Sequence, residues 1–185
     1  IEPNPHGNFL CDCMKEELGT DIAMFGSATL RGFFEAGKLD TRWLEDISPF
    51  KNKMVVANYT EKEIVDALKV SAKSLINTNN KPGIVHVSGL QYTIGKDGEL
   101  KNASFVDKSG NITPIDIKNP RTDKIYKTAL TDYYAQGHDG FTMLKKYDQA
   151  ERICDFDVTK CIEDYFAHHN EPINIKDDGR VKITD

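Results

Sequence analysis

Tyr133-Tyr134-Ala135-Gln136-Gly137-His138-Asp139-Gly140-Phe141 follows an alternating run, Ile125-Tyr126-Lys127-Thr128-Ala129-Leu130, whose period of two reads as a strand. The strand delivers an aromatic ring and, six residues later, an Asp-Gly turn to one element end. A ring is a flat surface on which a base stacks. An ionised carboxylate only accepts hydrogen bonds, which suits the two hydroxyls of a diol. Together they read as half of a nucleoside site. The other half is expected upstream, at Ser48-Pro49-Phe50 and Thr29-Leu30-Arg31. Phe50 after a helix-ending Pro and Tyr133 at a strand end both sit at element ends, where side chains can face a cleft rather than the core; core packing of either ring is the alternative reading.

Outward from this stretch, helices and strands are readable in both directions. Gly7-Asn8 opens a first helix with Leu10, Cys13, Met14 and Leu18 on one face, stopped by Gly19. Asp21–Phe25 reads as a strand, and Gly26-Ser27-Ala28-Thr29 as a loop of small residues. Asp40-Thr41 caps a short helix carrying Trp43, Leu44 and Ile47. Lys53–Tyr59 is a strand, and Thr60-x-x-Glu63 is a capping box for a helix with Ile64, Leu68, Ala72 and Leu75 on one face. Asn77–Gly83 reads as an exposed loop. Ile84–Thr131 is strand-like, with turns at Gly95–Gly98, Lys108–Gly110 and Lys118–Pro120. A last helix aligns Val158, Cys161, Ile162, Tyr165 and Phe166, and Arg180–Thr184 is a closing strand. No repeat or convincing linker interrupts this, so residues 1–185 read as one domain of helices packed on sheets.

Composition narrows the function classes. The chain has 185 residues, 39% hydrophobic and 29% charged, which fits a globular domain. A net charge of -5 gives no support to phosphate-backbone binding, so no nucleic-acid partner is expected. No apolar run approaches the ~20 residues of a membrane span. The chain begins Ile1-Glu2 without Met, which reads as a mature product or an excised fragment. Cys11, Cys13, Cys154 and Cys161 match no zinc spacing and read as buried thiols, a disulfide remaining open. The five histidines are scattered. His168 and His169 are neighbours near a helix C-terminus and point about 100° apart, so a dipole contact explains them better than a shared metal.

Together these motifs resemble the C-terminal domain of the 5′-nucleotidase family, which includes UDP-sugar hydrolases. Gly7-Asn8-Phe9-Leu10-Cys11-Asp12-Cys13-Met14 is similar to the family's Gly-Asn-Leu-Ile-Ala-Asp-Ala-Met helix. Asp21-Ile22-Ala23-Met24 with Gly26–Arg31 is similar to its strand and Asn-Gly-Gly-Gly-Ile-Arg loop. Ser48–Asn52 is similar to Leu-Pro-Phe-Gly-Asn, Val87–Tyr92 to Val-Ser-Gly-Leu-x-Tyr, and Gly137–Phe141 to Gly-Gly-Asp-Gly-Phe. Five motifs in family order span nearly the whole chain.

The resemblance implies a mixed α/β fold of four layers, α/β/β/α. It implies that Phe50 and Tyr133 sandwich a base, Asp139 holds the ribose hydroxyls, Arg31 faces the phosphate and Asn52 lies near the base. It also implies that the chemistry belongs elsewhere: two divalent metal ions in an N-terminal metallophosphatase domain of the same polypeptide. No metal site or cofactor is expected in this chain. An extracytoplasmic location, periplasmic, cell-surface or secreted, follows from the same resemblance. The sequence departs from the family at Gly26 (Asn in the family), at Ala28 and Thr29 (Gly), at Tyr133 (more often Phe) and at His138 (Gly). Residues 1–6 contain no Arg, where the family usually has a phosphate-binding one upstream of the first helix; it lies before Ile1 or is absent. The other reading is a non-catalytic nucleotide-binding or surface-interaction module with a degenerate site.

Overall fold

A computed structural model describes residues 3–32, 36–38, 40–77 and 83–185, excepting the side chains of Thr41 and Trp43. The order is α1 (Pro5–Leu18), β1 (Ile22–Gly26), α2 (Thr41–Ile47), β2 (Lys53–Thr60), α3 (Glu61–Lys73), β3 (Val85–Ser88), β4 (Leu90–Gly95), β5 (Leu100–Val106), β6 (Ile112–Ile115), β7 (Ile125–Thr131), α4 (Asp132–Ala135), β8 (Arg152–Asp157), α5 (Val158–His168) and β9 (Val181–Thr184). Two mixed sheets form. One runs β3-β1-β7-β2-β8 and the other β6-β5-β4-β9. The expected mixed α/β class, helices packed on two sheets, is the fold found.

The central strands are apolar at nearly every position because both faces of the larger sheet are covered. Along β1, Ile22 and Met24 enter one core, and Ala23 and Phe25 enter the other. Along β2, Val55, Ala57 and Tyr59 join the first, and Met54 and Val56 the second. The first core is shared with Ile64 and Leu68 of α3 and with Leu90, Tyr92 and Ile94 of the smaller sheet. The second is closed by α1, α2 and α5 through Leu10, Met14, Leu44, Cys161 and Ile162. Each such large side chain contributes about 1.5–3 kcal/mol by leaving water.

Polar groups of α1 explain why it lies along the edge strand β3. Asn8 Oδ1 accepts from the Val87 N–H at 3.3 Å. Asp12 accepts from Ser88 Oγ at 2.6 Å and from Arg180. The helix thereby covers an edge that would otherwise present unpaired backbone groups. β3 passes directly into β4 of the other sheet at Gly89, which has φ 76° and would push a Cβ into the Asp21 carbonyl. Only glycine serves both demands.

The structure corrects several expected boundaries. α1 starts two residues before Gly7: the Asn4 side chain accepts from His6 N at 2.9 Å and Pro5 stands in the first turn, as helix starts favour. Tyr133 lies in the one-turn helix α4, capped by Thr131, and not on the strand itself. β8 was not legible. It is an edge strand, and Arg152, Ile153 and Asp155 are exposed, so no buried alternation marks it. His168 lies in the last turn of α5, as expected, and both histidines also meet carboxylates of α1: Nδ1 of His168 lies 3.0 Å from Glu17 and Nε2 of His169 lies 2.8 Å from Glu16. All four cysteines are buried free thiols. The loop expected over Asn77–Gly83 lies largely outside the described residues, as does the Trp43 side chain.

Candidate functional site

β2 and β7 are antiparallel neighbours with Met54 opposite Thr131. The register therefore sets the residues just before β2 against those just after β7. Asn52 Nδ2 donates to Asp132 Oδ1 at 3.0 Å across this end. Phe50 lies two residues further out and is 42% exposed, high for so large a ring. Arg31 arrives from the neighbouring loop. Its backbone N–H donates to the Ile47 carbonyl at the end of α2, and its guanidinium lies 5.3 Å from the Phe50 ring centre. Thr29, Ser48, Phe50, Asn52 and Thr131 line one shallow dimple that has no room for a water molecule as it stands.

On the other side, Tyr133 is half-buried against the inter-sheet core. Its hydroxyl donates to Asp139 Oδ1 at 2.9 Å, and this bond pushes the phenol above its ordinary range. Its ring stacks with His138, the centres 4.5 Å apart and the planes inclined by 25°. His138 Nε2 lies 3.3 Å from Gln136 Oε1. Asp139 has φ 54° and ψ 30°, the one positive φ outside glycine among the described residues. A non-glycine residue held there is mildly strained, and such strain gathers at binding sites. Gly137, with φ 82°, lets the chain double back so that the carboxylate reaches Tyr133.

The five expected site residues thus form two linked groups at one end of the larger sheet. Arg31 touches Phe50, Tyr133 touches Asp139, and Asn52 ties the Phe50 segment to the segment that carries Tyr133. No ring contact joins Phe50 to Tyr133 among the described aromatic pairs. Three participants were not read from the sequence. Asp132 holds Asn52, His138 covers Tyr133, and Tyr134 fills space beneath the loop. A Cβ at Gly26 would overlap the Tyr134 hydroxyl. The family's Asn therefore could not be accommodated at position 26 while Tyr134 stays in place. The signal for Asp132 was Thr131 as a helix cap, masked by the strand pattern before it.

Elsewhere, a wider groove of about 1110 Å³ runs beside β9 and contains none of these residues and no aromatic ring. Two of its lysines, Lys96 and Lys101, are paired with Asp185 and Asp97. Among the described residues no group of three His, Cys, Asp or Glu side chains is placed to hold a metal ion, and no helix is long and apolar enough to cross a membrane.

Known proteins share this outline. The protein UshA of Escherichia coli K12 is 26% identical over 140 residues, covering 75% of this chain and 22% of that protein. The solved structure of a 5′-nucleotidase precursor from Thermus thermophilus superposes with a TM-score of 0.80 at 25% identity, over 96% of this chain and 34% of that one. The NAD nucleotidase of Haemophilus influenzae shares the fold, with a TM-score of 0.82 at 16% identity over 98% of this chain and 33% of that one. The chain spans about a fifth to a third of these relatives' lengths. The profile of the family described as 5′-nucleotidase, C-terminal domain, matches residues 1–146. This chain belongs to the 5′-nucleotidase C-terminal domain family.

Proposed function

We propose that this chain is the substrate-recognition domain of an extracytoplasmic 5′-nucleotidase-like phosphohydrolase and that it binds the nucleoside part of a nucleotide. The observation that carries the reading is the convergence of Arg31, Phe50, Asn52, Tyr133 and Asp139 from three separate segments onto one sheet end. The base stacks between Phe50 and Tyr133, with Asn52 at its edge. The ribose hydroxyls donate to Asp139. The guanidinium of Arg31 offers paired donors to phosphate oxygens. Among the described residues no carboxylate forms an ion pair with Arg31.

Ester cleavage is assigned to a separate N-terminal metallophosphatase domain of the same polypeptide. Its two divalent ions would activate water and stabilise the attacking and leaving oxygens. In this division the present chain orients the nucleotide and contributes no proton or nucleophile.

The test is a pair of titrations on the full-length protein with AMP and adenosine. Arg31→Ala is expected to weaken AMP by about tenfold or more, the scale of a charge-assisted hydrogen bond, and to leave adenosine nearly unchanged. Arg31→Lys should recover only part of the loss, because an ammonium lacks the planar fork. Equal losses for both ligands would make Arg31 structural.

A further inference from the structure

We propose that His138 is a built-in cover of the base slot: its imidazole occupies the outward surface of Tyr133 on which a base would stack, and it sets the affinity by having to leave first. This rests on the nucleoside reading above and adds a residue to it. Tyr133 is packed against the inter-sheet core, with the Tyr134 ring 6.3 Å away. His138 stacks on the Tyr133 ring, at 4.5 Å and 25°. That is the separation at which aromatic rings attract one another. His138 is itself exposed.

The cover is local in the chain. His138 is five residues from the ring that it covers. Its Nε2 approaches Gln136, and Asp139 beside it receives the Tyr133 hydroxyl. Ring and carboxylate, the two groups assigned to a nucleoside, therefore each have a partner from their own loop. The Gly-Gly-Asp-Gly-Phe pattern that this stretch resembles has no side chain at position 138, so the device belongs to this sequence.

Uncovering needs only rotation of one exposed side chain, a fast motion. The penalty is thermodynamic. A base gains its own stack on Tyr133 and loses the stack that His138 already made. The apparent dissociation constant is the intrinsic one divided by the uncovered fraction. A cover that acts before any ligand arrives should raise it by the same factor for purines and pyrimidines.

The experiment titrates adenosine and uridine into the full-length protein, native and carrying His138→Ala, His138→Phe or Phe50→Ala. His138 has no positive φ, so alanine fits without strain, and melting curves check the fold. His138→Ala is expected to bind both nucleosides about threefold or more tighter. His138→Phe, which keeps a ring over Tyr133, should bind no tighter than the native protein. If His138→Ala binds equally or more weakly while Phe50→Ala still loses affinity, the cover is wrong and the nucleoside site stands. If no form binds either nucleoside, both fall together.

Discussion

At the entry to β9, Arg180 is mostly buried, and its guanidinium donates to Asp12, to Asp178 and to the Val87 carbonyl. At the end of the loop after β1, Arg31 is exposed and lies over a ring, with no carboxylate beside it among the described residues. The tyrosines divide the same way. Tyr92 and Tyr126 are buried, their hydroxyls engaged by Ser71 with the Val85 carbonyl and by Glu61. Tyr133 is half-buried and its partner Asp139 faces water. The two regions use one set of residue types. In the first, hydrogen-bonding capacity is saturated within the chain, and the groups fasten α1, β3 and β9 together. In the second it is left partly open, which is the condition for recognising something else.

The largest effect that separates the regions is expected at Arg180. Arg180→Ala leaves half-buried Asp12 and exposed Asp178 without their cation. Removing one partner of a buried pair costs about 3–5 kcal/mol, and the residual exposure places this one near the lower end. Urea unfolding should show that loss, while nucleoside affinity of the folded fraction stays as it was. A loss of affinity without a loss of stability would erase the distinction between the two regions.

His86 is the buried group that does not fit the saturated region. It is fully buried on β3, Gly7 lies directly against its ring, and neither ring nitrogen has a hydrogen-bond partner. Burial alone pushes its pKa down to about 4, against an ordinary 6.5. The neutral form is therefore the one the fold accepts. Its contribution is complete above about pH 6.5 and is lost as pH falls toward 4, because the unfolded chain takes the proton first. The full loss is roughly 3 kcal/mol at about 1.36 kcal/mol per unit. Unfolding midpoints measured between about pH 7 and 4 should show this slope, and His86→Phe should remove that part of it whatever its own baseline.

How much of this was legible follows from the same contrast. Helices and strands buried on a full face announce themselves by period: the Thr60-Glu63 capping box and the α3 face of Ile64, Leu68 and Ala72 stand as read, while Leu75, expected on the same face, lies in the turn beyond the helix end at Lys73. The candidate site residues rest on motif resemblance alone, since Phe50 and Asp139 have no periodicity to betray them. What escaped depends on neighbours that only folding supplies. The Asn52–Asp132 bond spans 80 residues. Tyr134 beneath Gly26 is a packing fact, and the stack of His138 on Tyr133 depends on the backbone turning at Gly137. β8 escaped because an edge strand with exposed side chains needs no apolar alternation.

Phe50 and Asp139 test the open region directly. Phe50→Ala should weaken nucleoside binding by about 1–3 kcal/mol, the value of one base–aromatic stack. Its stability change should be small, because the ring is already 42% exposed. Asp139→Asn keeps the shape and the tolerance for positive φ but replaces an acceptor-only carboxylate by an amide with donors of its own. It should weaken ribonucleosides more than bases lacking the sugar. A melting temperature that falls for Phe50→Ala as it does for a buried aromatic, where about 3–5 kcal/mol is lost, would move Phe50 into the core.

The smallest effect is the sharpest test of what Tyr133 supplies. Its hydroxyl donates to Asp139 at a site open to water, so the net worth of the bond is at the low end of about 0.5–1.5 kcal/mol. The carboxylate pushes the phenol's pKa upward, so the hydroxyl stays protonated and donating through neutral pH. If Tyr133 serves as a ring platform, Tyr133→Phe keeps the stacking face and frees Oδ1 of Asp139 for a ribose hydroxyl. Stability should fall by about 0.5 kcal/mol, and nucleoside affinity should hold or rise slightly. The contrast with Tyr92 is then one of kind: there the hydroxyl holds the fold, here it only holds a carboxylate in readiness. An affinity loss of about tenfold or more in Tyr133→Phe, the scale of a lost ligand hydrogen bond, would mean that the hydroxyl itself touches the ligand. The carboxylate would then be its positioning partner and not the ribose acceptor.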